Sequence, residues 1–202
     1  MSSLGALAAL AVTASFAPVL TAQQDPSRVR LRFATFDPLA EQPSIPAALQ
    51  SRDSEQLFIV QFDGVPTQRG RDDLARIGAR VHGYLPDDCY VVRMSPDRLR
   101  SARGVPSVRW VGPYEAAYRI DPALIPGLVA GDRGARRYNM MVVDKHNDKP
   151  ALGEQIRAIG GVVDNEHPGS LLYTATLTLP QVLAVAHLDQ VMFIDAWSPI
   201  EE

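Results

Sequence analysis

The sequence carries one stretch of about sixty residues twice, and any fold for the chain has to suit a duplicated unit. Val60, Leu74, Ile77, Gly78, Val81, Val108 and Trp110 recur in the same order, at nearly constant spacing, as Val142, Ile156, Ile159, Gly160, Val163, Val191 and Phe193. Two copies predict a tandem of small domains rather than a solenoid, and 202 residues leave room for both plus extra segments.

An apolar content of 46%, 21% charged residues and a net charge of −3 describe a globular chain and give no sign of a nucleic-acid partner. The arginines of the first copy, among them Arg69, Arg71, Arg76 and Arg80, read as solvated helix faces. A single cysteine, Cys89, excludes an internal disulfide and a multi-cysteine metal site, and its strand position suits a small buried hydrophobe. Residues 4–20 are apolar or small and uncharged, ahead of a polar stretch, so residues 1–22 resemble a secretory signal segment, although no Lys or Arg precedes the apolar run. Export to the periplasm or the extracellular space is therefore expected, with no membrane attachment once the segment is removed.

Residues 23–56 are rich in proline and polar residues and show no sustained period, which predicts a linker or a loosely docked arm. Residues 57–62, Leu-Phe-Ile-Val-Gln-Phe, are a strong strand signal. A polar helix follows and ends at Gly78; two strands flank the turn at Asp87 and Asp88; Ser95-Pro96-Asp97 predicts a capped helix start; and residues 108–111 supply a last strand. The second copy repeats this from residue 137, with Leu152, Ile156 and Ile159 as an apolar helix stripe and Thr178 as a cap. The order strand, helix, strand, strand, helix, strand is the ferredoxin-like split βαβ arrangement. The expected fold class is α+β: two tandem ferredoxin-like domains, residues 57–118 and 137–202, each with an antiparallel four-stranded sheet, joined by a linker at 119–136 and preceded by the signal-like helix and an irregular linker.

In residues 57–62 both faces of the strand are apolar, and Met140, Met141, Val142 and Val143 repeat this in the second copy. Such a unit has only two helices, both on one side of its sheet, so the other face is expected to form a binding surface. No catalytic, cofactor or metal site is expected. His82, His146, His167 and His187 are scattered, with only Asp144, His146 and Asp148 clustered, in a turn; Asp72-Asp73 and Asp87-Asp88 lack a partner acid or base; and the glycine-rich piece at 127–134 lacks the lysine and spacing of a phosphate loop.

Residues 57–64, Ile77-Gly78-Ala79-Arg80-Val81, residues 84–94 and residues 108–114, followed more weakly by residues 159–163 and 191–197, resemble the tandem pro-region modules of secreted bacterial subtilisin-like serine peptidases. The resemblance implies an intramolecular chaperone and temporary inhibitor that docks its open sheet face and its C-terminal tail on a subtilisin-like catalytic domain, in cis or in trans. It implies further that the second copy is nearest the peptidase, with Trp197, Ser198, Pro199 and Ile200 leading into the tail; Met141 and Val143 of the apolar strand are expected on the docking face, or one of them toward the helices. The Asp-Thr-Gly, His-Gly-Thr and Gly-Thr-Ser-Met segments of that family's catalytic domain do not occur in these 202 residues. The chain is thus expected to be the N-terminal part of such a precursor, not itself an enzyme, or else a free-standing inhibitor or regulatory module.

Overall fold

A computed structural model describes residues 27–198; the signal-like segment at 1–22, Pro199 and Ile200 lie outside the described residues. In chain order the strands are β1 (Val29–Arg30), β2 (Thr35–Phe36), β3 (Leu57–Phe62), β4 (Arg80–Leu85), β5 (Cys89–Arg93), β6 (Val108–Pro113), β7 (Arg136–Val142), β8 (Val162–Asn165), β9 (Leu172–Leu177) and β10 (Val191–Ala196). The helices are α1 (Gln68–Arg76), α2 (Leu99–Arg103), α3 (Ile125–Ala130), α4 (Asp148–Ala158) and α5 (Leu179–Ala186). The fold is α+β, with two antiparallel four-stranded sheets ordered β4-β5-β3-β6 and β10-β7-β9-β8 and a small β1-β2 hairpin.

The two large sheets share details that the spacing of the sequence only approximates. Each carries a bulge between its first and last strands: Phe62 pairs with Val108 and Gln61 with Trp110, while Val142 pairs with Val191 and Met141 with Phe193. Ladder position therefore equates Val142 with Phe62 rather than with Val60; the strand-to-helix connections 63–67 and 143–147 match in length, and the second copy's two extra residues lie in its helix, 11 residues in α4 against 9 in α1. A slip of two residues keeps each side chain on its face, which is why the pattern matched despite it.

Helix ends follow local chemistry. Thr67 Oγ1 accepts from the Gly70 amide at the start of α1, and Thr178 with Gln181 forms a reciprocal capping box on α5. Ser95, expected to cap in the same way, makes no side-chain cap bond, because Pro96–Arg98 first winds a 3-10 turn before α2. α1 and α4 both end in a Schellman motif. Gly78 (φ 84°) and Gly160 (φ 80°) take the left-handed position, and Ala79 and Gly161 donate back to Leu74 O and Ile156 O. A Cβ at Gly161 would stand 2.5 Å from Leu177 and 2.9 Å from Ile156. Gly161→Ala is expected to destabilise the chain by about 1–3 kcal/mol, seen as a lowered thermal midpoint.

All six side chains of β3 are buried, on two different cores. Phe58, Val60 and Phe62 pack with Leu74 and Ala102 under α1 and α2. Leu57 and Ile59, on the other face, join Cys89 and Val91 in a cluster with Val29, Phe36 and Leu49 of the arm and with Tyr114, Ala116, Ala117, Tyr118 and Ile120 of the connection. Of the two expectations for this segment, a linker or a loosely docked arm, the structure has the arm, packed as a lid over the first sheet. Polar pins fasten it: Gln61 Nε2 donates to Arg28 O (3.0 Å), Arg109 donates to Ser27 O (3.0 Å) and Asp37 Oδ1 (2.9 Å), and Arg30 pairs with Asp87 (3.0 Å). Each satisfies a polar group that the lid covers.

The same cluster runs on into the core of the second sheet, where Tyr138, Met140, Val142, Tyr173 and Ile194 meet Leu152, Ile156, Val182 and Val185. The connection at 119–136 is structured as well. Ile120 adds a parallel bridge to Ile194, and a Cβ at Gly127 of α3 would touch Leu179 of α5 at 2.7 Å. Arg93 forks onto Asp148 at 3.0 and 2.7 Å, tying the first sheet to the start of α4.

Candidate functional site

The second sheet packs one face on α4 and α5, and no helix of the described residues covers the other. Alternation along β7 sends Tyr138, Met140 and Val142 inward and Arg137, Asn139 and Met141 outward. Register then sets Leu172, Met141 and Phe193 side by side across β9, β7 and β10, with Thr174, Asn139 and Asp195 as the next row. The outer face is therefore an apolar ridge beside a polar floor. The both-faces-apolar expectation holds on this sheet only at the ridge end.

Met141 is 44% exposed and Leu172 38%, so the ridge is open to a partner. Phe193 is half-buried, because the arm's Arg32 lays its guanidinium over the ring, 5.0 Å from the centroid, while pairing with Asp121 at 2.9 Å. Beside them Asp195 has its carboxyl pushed up by burial, an effect opposed by Arg32. On the polar floor His167 Nε2 lies 2.8 Å from Thr174 Oγ1, Thr176 donates to Asp164 Oδ2 at 2.8 Å, and Arg137 stacks on Trp197 at 4.9 Å. These groups enclose a shallow hollow of about 370 Å³ between Arg137, Asp164, His167 and Trp197. Thr174 Oγ1 also lies 3.4 Å from Asn139 Oδ1, so the polar side chains of the floor are tied to one another.

Of the residues expected to bind a partner, Met141 stands mid-ridge and Trp197, 40% exposed, closes the far rim with exposed Ser198 beyond it. Val143 does not join them. It is 5% exposed, its amide donates to Gln190 O, and it packs in the shared core beside a cleft against Val81 of the first unit. Its position past the end of β7 turns it toward the neighbouring unit. Pro199 and Ile200 lie outside the described residues. Leu172, Phe193 and the Arg137–Trp197 pair went unrecognised in the sequence, since only cross-strand register places them beside Met141; the outward Leu-Thr-Thr alternation of β9 was the signal available.

Cys89 is fully buried and its thiol is pushed up to about 12 by that burial, so it is inert packing. Among the described residues no three His, Cys, Asp or Glu side chains gather as metal ligands, and no helix is long and apolar enough to cross a membrane.

No curated protein and no solved structure matches the chain. A family model described as a domain of unknown function (DUF8729) matches residues 30–115, a span that takes in most of the arm together with the first sheet it covers.

Proposed function

We propose that the chain is a pro-region-type docking module: two tandem ferredoxin-like units, of which the second offers its helix-free sheet face to the catalytic domain of a subtilisin-like peptidase. In this reading it acts as a folding chaperone and temporary inhibitor of an exported enzyme, in cis or in trans. In the same reading, the residues that follow the sheet's outer strand β10 would occupy the substrate cleft. The observation that carries the proposal is an asymmetry. The chain's own arm covers the helix-free face of the first sheet, while the same face of the second sheet keeps an exposed apolar ridge at Met141 and Leu172. The strand orders of both sheets support the ferredoxin-like assignment.

The test is inhibition and refolding of a subtilisin-like peptidase by the full chain. Inhibition is expected, and Met141→Asp should weaken it by about tenfold or more with little change in thermal midpoint, since it places a charge on a face that docking dries. Val143→Asp should instead lower the midpoint, because that side chain is buried. A chain that neither slows such a peptidase nor raises its refolding yield overturns the proposal. The sealed first sheet favours a second reading, a free-standing secreted binding module, and that same negative result would move the assignment there.

A further inference from the structure

Among the described residues the docking face carries a single thioether, that of Met141. Of the methionines among the described residues, Met94, Met140 and Met192 are 2%, 0% and 9% exposed, whereas Met141 is 44% exposed. Its thioether stands in the ridge between Leu172 and Phe193, each paired with it across the sheet. We propose that Met141 is a modification site for hydroperoxides, and that its conversion to the sulfoxide closes the docking face of the second sheet. The inference rests on the docking reading above and adds its regulation.

The chemistry follows from exposure and electron count. A sulfur lone pair attacks the outer oxygen of a hydroperoxide, an S–O bond forms and the O–O bond breaks. The departing oxygen takes a proton and leaves as water or an alcohol. Sulfur loses two electrons and the peroxide gains them, so hydrogen peroxide alone suffices. Buried thioethers are protected because the peroxide cannot reach them. In the free protein the new S–O dipole at Met141 stays in water and costs the fold little. In a docked complex it must be dried between Leu172 and Phe193 without a partner assigned to it, which opposes binding. Sulfoxide reductases reverse the change, so the face can be reopened.

The full chain is treated with hydrogen peroxide and each methionine-containing peptide is followed by mass spectrometry, before and after methionine sulfoxide reductase. Met141 is expected to gain one oxygen about tenfold or more faster than Met94, Met140 or Met192. The singly oxidised chain should keep its thermal midpoint, lose about tenfold in inhibition of a subtilisin-like peptidase, and recover on reduction. Peroxide should produce no such loss in Met141→Leu, each sample being compared with itself before treatment. Equal oxidation rates at buried and exposed methionines, or undiminished inhibition by the Met141 sulfoxide, overturn the inference. If the untreated chain neither inhibits such a peptidase nor raises its refolding yield, the docking reading fails by itself. The ridge is then read by an apolar-surface dye: its fluorescence should fall on oxidation of the wild-type chain but not of Met141→Leu, and an unchanged wild-type signal overturns the inference.

Discussion

Glu55→Gln is expected to destabilise the chain by about 3–5 kcal/mol, measured by urea unfolding of the full chain. Glu55 lies at the meeting of three segments. Its Oε2 accepts from Arg119 Nη2 at 2.8 Å, and its Oε1 lies 2.7 Å from His187 Nδ1, whose ring places Nε2 3.0 Å from Ala48 O. Arg119 is fully buried. Its other N–H groups reach Tyr114 O at 2.8 Å, Ala186 O at 3.1 Å and Leu188 O at 3.3 Å, and its guanidinium lies 5.5 Å from the Tyr114 ring centroid. Burial lowers the arginine's pKa and the Glu55 charge opposes that shift, so the carboxylate is what keeps a buried cation tolerable. A neutral amide keeps the shape and removes the charge. The cluster's worth lies in joining arm, connection and second unit rather than in net stability. The double change Glu55→Gln with Arg119→Met is therefore expected to cost less than the two single changes added together. Additive costs would show that the two side chains act independently.

This cluster also marks where reading the sequence stops. Glu55, Arg119 and His187 are separated by 64 and 68 residues, and nothing local distinguishes them from solvated charges. Their burial follows only once the arm and the two units are docked. Signals carried by neighbours in the chain fared differently. The six apolar or amide side chains of β3, the left-handed glycines 78 and 160 and the Thr178 cap could all be read, because each rests on residues a few positions apart. The exposed apolar ridge was half legible. Alternation along β7 supplies Met141, but its neighbours Leu172 and Phe193 depend on the ladder register, and Val143 was misplaced because β7 ends one residue before it. The arm was legible only as one of two alternatives, beside a linker, for a related reason. Val29, Phe36 and Leu49 follow neither a helical nor a strand period, and the groups that hold the arm, Gln61 and Arg109, belong to the sheet beneath.

Phe36→Ala is the change expected to expose what the arm conceals. Phe36 meets Trp110 edge to face at 6.4 Å and leans on Tyr118 at 6.3 Å, while the adjoining Asp37 accepts from Arg109. The Trp110 ring itself packs over Gly112, where a Cβ would come within 2.1 Å of it. A loss of about 3–5 kcal/mol is expected, at the upper end if the hole persists and lower if the hairpin settles into it. The opening should be local. Amide exchange should speed up in β1 and β2 and along β6, while α4 and α5, packed on the far sheet, keep their protection. Binding of an apolar-surface dye should rise as Leu57, Ile59, Val91 and Trp110 lose their cover, the opposite of the fall expected on oxidising Met141. An unchanged midpoint with unchanged dye binding would mean that the arm does not seal the first sheet. The asymmetry between the two faces, on which the docking proposal stands, would then have no structural cause.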